Sequence, residues 1–195
     1  GDSALPLVWQ WNHNPDNRFW SVSERPGWLR LITGSAVHTL LEARNSLTQR
    51  TFGPECSGEV AMDVSHMKDG DYAGLGLLQK RYGFVGVKMI EGKKSIVMVS
   101  TETGTPEELQ IVPLSSDTVY FRVECDYRNR ADKAYFFYSL DGEKWTMIGR
   151  PLPMIYTLPH FMGYRFALFN YATKEAGGAV DFDYFRVTDD ITDAN

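Results

Sequence analysis

Asp181 and Asp183 are the carboxylates whose placement invites chemistry. They stand in the alternating run Val180-Asp181-Phe182-Asp183-Tyr184-Phe185-Arg186-Val187 near the C-terminus. Successive side chains of a strand point to opposite faces, so the two acids are expected on one face. Two chemistries use such acids. Glycoside hydrolysis places two carboxyl groups about 5–5.5 Å or 6.5–9.5 Å apart on opposite sides of the scissile bond. An i, i+2 pair has a Cα separation of roughly 6.5–7 Å, but both groups approach from one side. Calcium fits better, because it gathers six to eight hard oxygen ligands. The loop Asn14-Pro15-Asp16-Asn17 is rich in oxygen and close to an N-terminal strand. A structural calcium where first and last strands meet is therefore expected, with Asp16, Asp181 and Asp183 as its acids. The alternative is that these acids are solvated or paired with Arg18, Arg30 or Arg186.

A third chemistry is recognition of sugars. Pyranose rings stack on flat aromatic side chains while Asn, Gln and Arg orient the hydroxyls. Trp28, Trp145, Phe121, Phe166 and Phe182 sit in strongly apolar alternation and are expected in the core. Trp11, Tyr82, Tyr164 and Tyr171 are expected on an exposed platform. Arg44, Asn45, Gln49, Arg50, Gln79, Arg165 and Asn170 are polar residues in or beside strands. They suit a glycan groove or a domain interface, or make structural hydrogen bonds. His13, His38, His66 and His160 are dispersed without metal-ligand spacing. No nucleophile elbow, phosphate loop or zinc motif is present, so no organic cofactor is expected.

The elements that must position these residues are strands. Helical periodicity is almost absent, and about thirteen short apolar runs are separated by turn residues. Asn14-Pro15-Asp16-Asn17, Arg25-Pro26-Gly27, Lys68-Asp69-Gly70-Asp71, Glu91-Gly92 and Asp141-Gly142 are the clearest turns. Asp141-Gly142 ahead of Trp145 predicts a hairpin. The pattern predicts an all-β, two-sheet antiparallel sandwich of jelly-roll type. The 195 residues, 43% apolar and 13% aromatic, suit one domain, 1–195, with its core at about 5–188. A net charge of −5 argues against nucleic acid, whose backbone attracts basic surfaces. No apolar run approaches the ~20 residues of a membrane helix, so no membrane partner is expected. Cys56 and Cys125 show no metal spacing and read as buried thiols, with a disulfide only if their strands meet.

Several segments resemble the C-terminal β-sandwich of glycoside hydrolase family 43, the β-xylosidases and α-arabinofuranosidases. They are Trp9-Gln10-Trp11-Asn12-His13-Asn14-Pro15, Arg25-Pro26-Gly27-Trp28-Leu29-Arg30-Leu31, Leu47-Thr48-Gln49-Arg50, Gly83-Phe84-Val85-Gly86-Val87, Tyr138-Ser139-Leu140-Asp141-Gly142 with Trp145, and Asp181-Phe182-Asp183-Tyr184-Phe185. The resemblance implies a concanavalin A-like sandwich. It also implies a five-bladed catalytic propeller as partner, which needs roughly 300 residues of its own. The family's hydrolytic carboxylates lie on that propeller. The chain thus looks like an accessory, non-catalytic domain that packs on a propeller and helps shape its substrate site. The alternative is an autonomous carbohydrate-binding module for plant cell-wall glycans of xylan or arabinan type. Tyr164 and Arg165 fall where the family projects a side chain toward substrate, and are expected at that edge. No export signal is visible, yet the resemblance implies an extracytoplasmic protein, periplasmic or secreted.

Overall fold

A computed structural model describes residues 5–155 and 163–192. The described strands are β1 (Gln10–Trp11), β2 (Trp20–Ser21), β3 (Leu29–Ile32), β4 (Leu47–Arg50), β5 (Glu55–Asp63), β6 (Asp71–Leu78), β7 (Gly83–Ile90) and β8 (Lys93–Ser100). They continue with β9 (Glu107–Pro113), β10 (Thr118–Asp126), β11 (Lys133–Ser139), β12 (Thr146–Met147), β13 (Leu152–Pro153), β14 (Arg165–Ala172) and β15 (Ala179–Thr188). One sheet has the order β1-β4-β14-β6-β7-β8-β9. The other has the order β12-β11-β10-β5-β15-β3-β2, with β13 pairing β11. Every ladder is antiparallel, and the two sheets form the predicted sandwich. The sequence pattern predicts a strand over Met162–Tyr171; among the described residues it starts at Arg165. His160 also lies outside them.

Alternation of apolar and polar positions builds the core. Phe166 and Leu168 of β14, Leu75 and Leu77 of β6, and Val85 and Val87 of β7 point inward from the first sheet. Val60 and Met62 of β5, Phe121 and Val123 of β10, and Phe182 of β15 meet them from the second. Trp28 and Trp145, expected in the core, are half-buried instead. Each lies under an arginine, Arg25 at 3.7 Å from the Trp28 ring and Arg122 at 5.9 Å from that of Trp145.

The opposite face of the first sheet is also apolar. Phe84, Val97, Val99, Ala167, Phe169 and Tyr171 form a second buried layer there. It is roofed by the segment that carries Val37, Leu40 and Ala43. This roof is the reason that strands β6, β7 and β14 read as near-continuous apolar runs: they are buried on both faces.

The Asp141-Gly142 hairpin forms as predicted. Asp141 Oδ1 accepts from the Glu143 and Lys144 amides at 2.9 and 2.8 Å, and Gly142 takes the left-handed φ of +77° that the turn requires. Those amides and Ser139 hold the exposed Asp141 carboxyl at about 2. The register places Cys56 directly opposite Cys125 across β5 and β10. Both are buried free thiols.

Candidate functional site

Five of the residues singled out by the sequence, Asn45 among them, line one pocket. Asp16, Arg44, Asn170 and Tyr171 line a cavity of about 330 Å³, together with Arg18, Phe19, Thr33 and Asn45. Its geometry starts from a turn. Asp16 accepts from the Arg18 amide at 3.1 Å and so caps a single 3₁₀ turn, Asn17–Phe19. That capping carboxylate also takes a two-pronged guanidinium from Arg18, Nε to Oδ1 at 2.9 Å and Nη2 to Oδ2 at 2.6 Å. The Arg18 hydrogen bonds hold the Asp16 carboxyl down at about 2. Asn45 clamps the turn from the other side. It accepts from the Asp16 amide and donates to the Asp16 carbonyl, both at 2.9 Å. Arg44 Nε donates to the Asn14 carbonyl at 3.1 Å.

Asn170 forms the back of the pocket. Its Nδ2 donates to the carbonyls of Leu31 at 3.0 Å and Gly178 at 3.3 Å. Its Oδ1 is buried without a hydrogen-bond partner among the described residues. Phe19 supplies apolar surface to the lining, while the Tyr171 ring is turned to the other face of the sheet and stacked on Tyr72. The sequence pattern puts Phe19 in a strand; the Asp16 cap turns it into the pocket instead. An Asp two residues before an Arg, inside an Asn/Pro-rich turn, is the available signal for that cap. Thr33 and Phe19 carry no signal of a site in the sequence.

The exposed aromatic platform does not form. Tyr82 is 3% and Tyr164 1% exposed. Tyr82 is sealed under the roof that includes Leu40, and burial raises its phenol pKa. Tyr164 shares the inward parity of Phe166, and its hydroxyl accepts from the Ile155 amide at 3.0 Å. Arg165 follows it on the strand and so faces the other way. The two therefore cannot act as an exposed pair. Tyr171 is also buried, stacked on Tyr72 with ring centroids 5.3 Å apart. Trp11 is half-buried against Trp20 at 5.2 Å.

A second polar group lies beside the first pocket. Gln79 and Arg165 line a hollow of about 490 Å³ with Asn12, His13 and Leu41. In this hollow His13 Nε2 lies 3.0 Å from the Leu41 carbonyl. Arg50 is exposed and sits opposite Arg165 in the β4–β14 ladder. Burial, then the Arg50 charge, lowers the Arg165 pKa. Like charges facing across strands are destabilising. Phe52 and Ile155 expose 44% and 40% of their surfaces at the same end, where both chain segments bond Tyr164. Gln49 is half-buried opposite Phe166 and lines neither hollow.

The aspartates of the last strand part company. The β15–β5 ladder shifts register between Phe182 and Phe185, which interrupts the two-residue period. Asp181 is 2% exposed, while Asp183 is exposed and lines a separate aromatic cleft with Trp9, Trp28 and Tyr184. Asp181 receives Arg30 Nε at 2.7 Å and Nη2 at 2.9 Å, and Arg25 Nη1 at 3.1 Å. Arg25 also reaches Asp63 at 2.7 Å. Burial pushes the Asp181 pKa up, but the bonds from Arg30 and Arg25 outweigh it, so it lies below the usual carboxylate range. An acid held ionised by two guanidinium groups is not poised to give a proton to a leaving group.

Comparison with known proteins now decides the family. The model of the β-xylosidase C-terminal concanavalin A-like domain matches residues 1–188. The chain belongs to that family. It is 30% identical to a β-xylosidase of Formosa agariphila over 93% of this chain and 33% of the relative. It superposes on a bifunctional GH43-CE protein of Bacteroides eggerthii with a TM-score of 0.96 and 63% identity, over 99% of this chain and 25% of that one. An engineered GH43 glycoside hydrolase with endo-xylanase and exo-arabinofuranosidase activity matches at a TM-score of 0.89 and 31% identity, over 96% and 39%. The chain thus spans between a quarter and two fifths of the length of these relatives. Within GH43 enzymes the domain stands beside a catalytic domain.

The acids expected to hold calcium do not fit it in this domain. Asp16 is occupied by Arg18, Asp181 by Arg30 and Arg25, and Asp183 stands apart. Among the described residues no three His, Cys, Asp or Glu side chains converge. An ion would have to displace arginine from Asp16 and from Asp181. Equal melting temperatures in excess calcium and excess chelator are therefore expected. A clear rise in calcium, measured by calorimetry, would restore the ion, because a ligand bound only by the folded state stabilises it by mass action.

Proposed function

We propose that this domain is the accessory, non-catalytic sandwich of a hemicellulose-degrading glycosidase, packed on a catalytic propeller and bordering its substrate site. One observation carries the reading. The chain fills nearly the whole of one domain yet only 33% of its β-xylosidase relative. The rest of such an enzyme must meet this domain somewhere. The end of β4 and β14 is the best-suited surface. It combines exposed Phe52, Ile155 and Leu41 with Arg50, Arg165 and Gln79. Apolar anchors ringed by arginine are the composition of interface centres. Two facing arginines also suit an acidic partner surface. Substrates of xylan or arabinan type, and an extracytoplasmic location, follow from the same reading. Cell fractionation of the parent organism tests the location.

The test uses the full-length parent enzyme and, separately, its two parts. Arg50→Glu with Arg165→Glu is expected to weaken association of this domain with the catalytic part by at least about tenfold, since each reversed contact is worth on the order of 1.4 kcal/mol. In the full-length enzyme the same change raises KM or lowers kcat while the sandwich keeps its circular dichroism spectrum. Unchanged association and kinetics would remove this face from the proposal.

The alternative reading, an autonomous carbohydrate-binding module, is favoured by one feature, the polar pocket beside Asp16.

A further inference from the structure

We infer that Cys56 and Cys125 are a disulfide-forming pair, which thiol–disulfide exchange joins across β5 and β10 inside the sandwich. The inference goes beyond the accessory-domain reading and does not depend on where the domain docks.

Register is the first ground. Strands β5 and β10 pair without a break from Asp63 opposite Thr118 to Glu55 opposite Asp126, and Cys56 stands directly opposite Cys125. Residues opposite each other on antiparallel strands have Cα atoms about 4.5–5.5 Å apart. That lies within the span of about 4.4–6.8 Å seen between disulfide-bonded residues. Both side chains turn into the core, each 0% exposed. They are the only cysteines of the 195 residues, so a single pairing exists.

Contact between the sulfurs is the second ground. The Cys125 thiol donates to the Cys56 sulfur, which also accepts from the Phe52 amide at 3.5 Å. These bonds, that from Cys125 above all, hold the Cys56 thiol below its ordinary value in spite of burial. Burial, then the bond given to Cys56, pushes the Cys125 thiol up. Cys56 is therefore the attacking thiolate and Cys125 the resolving thiol.

The exchange balances with a low-molecular-weight disulfide as oxidant. Cys56 thiolate attacks one of its sulfurs, and its S–S bond breaks. One half leaves as a thiolate and takes up the proton lost by Cys56; the other half stays on Cys56 as a mixed disulfide. Cys125 then attacks the Cys56 sulfur and expels the second half, which takes the Cys125 proton. Two protein thiols are oxidised to one disulfide, and one external disulfide is reduced to two thiols. The step belongs to the folding or transiently opened chain, because the closed sandwich covers both sulfurs. The same cover then shields the bond from reductants.

The bridge closes a loop of about 70 residues that holds β6 to β9. Cross-linking so long a loop restricts the unfolded chain while the paired native strands stay in place. It also lies beside Phe52 of the proposed docking end, whose amide rests on the Cys56 sulfur. Disulfides persist in oxidising compartments, which suits the extracytoplasmic location proposed above.

Refolding the 195-residue chain from denaturant in a glutathione redox buffer, against refolding in dithiothreitol, tests this. After unfolding, the oxidised product is expected to show no titratable thiol, where the reduced product shows both. Its mass should fall by the two hydrogens lost, with no glutathione attached, and digestion should yield a peptide joining Cys56 to Cys125. Its melting temperature should lie roughly 5–10 °C above that of the reduced product. Cys56→Ala with Cys125→Ala should melt at one temperature in both buffers. If that variant fails to fold, the thiol count, mass and melting temperature of the unaltered chain decide. Free thiols after oxidative refolding, glutathione held on Cys56 in place of the bridge, or a bridge that does not raise the melting temperature overturns the inference. Because refolding needs no catalytic partner, its failure is distinguishable from failure of the docking test.

Discussion

Asp181→Ala is expected to cost about 3 kcal/mol of folding stability, toward the lower end of what breaking a buried ion pair costs. The side chain is 2% exposed and joins Arg30 to Arg25 across three elements, β3, β15 and the turn before Trp28. Its removal strands two guanidinium groups. Arg30 keeps Glu24 and Arg25 keeps Asp63, and both are partly open to water, which limits the loss. For a domain of this size the melting temperature should fall by roughly 10 °C. Asp183→Ala, two positions on, should change stability by no more than about 0.5 kcal/mol, because that side chain is exposed and outside the network. The folded-state pKa of Asp181 is depressed. Its contribution is therefore present above the unfolded value and is lost as pH falls through the folded one. The gap between wild type and Asp181→Ala should narrow in acid, below about pH 4. Denaturant melts of both variants at pH 7 and pH 3 check this. Equal effects of the two alanine changes would show that the network adds nothing.

Asp71→Asn has the opposite pH signature. Asp71 is fully buried at the start of β6. Its Oδ2 accepts from the Lys68 amide at 2.9 Å, while Oδ1 finds no partner. Gly178 is pressed against it so closely that any Cβ there would meet Oδ2 at 1.8 Å. Burial pushes the Asp71 carboxyl up to about 6. A raised folded-state value favours the protonated native state, so the contribution is fully present below the unfolded value near 4. It is lost as pH rises through about 6. Asparagine has the shape of the neutral acid without its titration. Between pH 4 and pH 7 the stability of Asp71→Asn relative to wild type should therefore rise by about 2 kcal/mol, because each tenfold gain in proton affinity on folding is worth about 1.4 kcal/mol. The change with pH is the readout, since a buried amide adds a fixed offset of its own. A difference that stays flat from pH 4 to pH 7 would contradict a buried, neutral Asp71.

The sequence by itself determined the sandwich. Period-two apolar runs and turn residues are local signals, and Asp141-Gly142 closes its hairpin by bonds within a few residues. The matching segments, spread from Trp9 to Phe185, likewise pointed to the family without any coordinates. What the sequence did not determine is which polar and aromatic residues are open. Tyr82 and Tyr164 read as surface residues, but whether a strand face is exposed depends on what folds over it. The roof from Val37 to Ala43 and the parity of β14 bury them. Asp181 and Asp183 read as a pair only if the period of two persists. A register shift, set by packing of β15 on β5, gave one a double arginine clamp and left the other at the rim of a different cleft. Asp16, Arg44, Asn170 and Tyr171 were each legible as polar or aromatic candidates. Only the tertiary structure brought them to one pocket, because their convergence depends on Asn45 and Asn170 bonding backbone some 29 and 139 residues away, and no local pattern encodes contacts of that span.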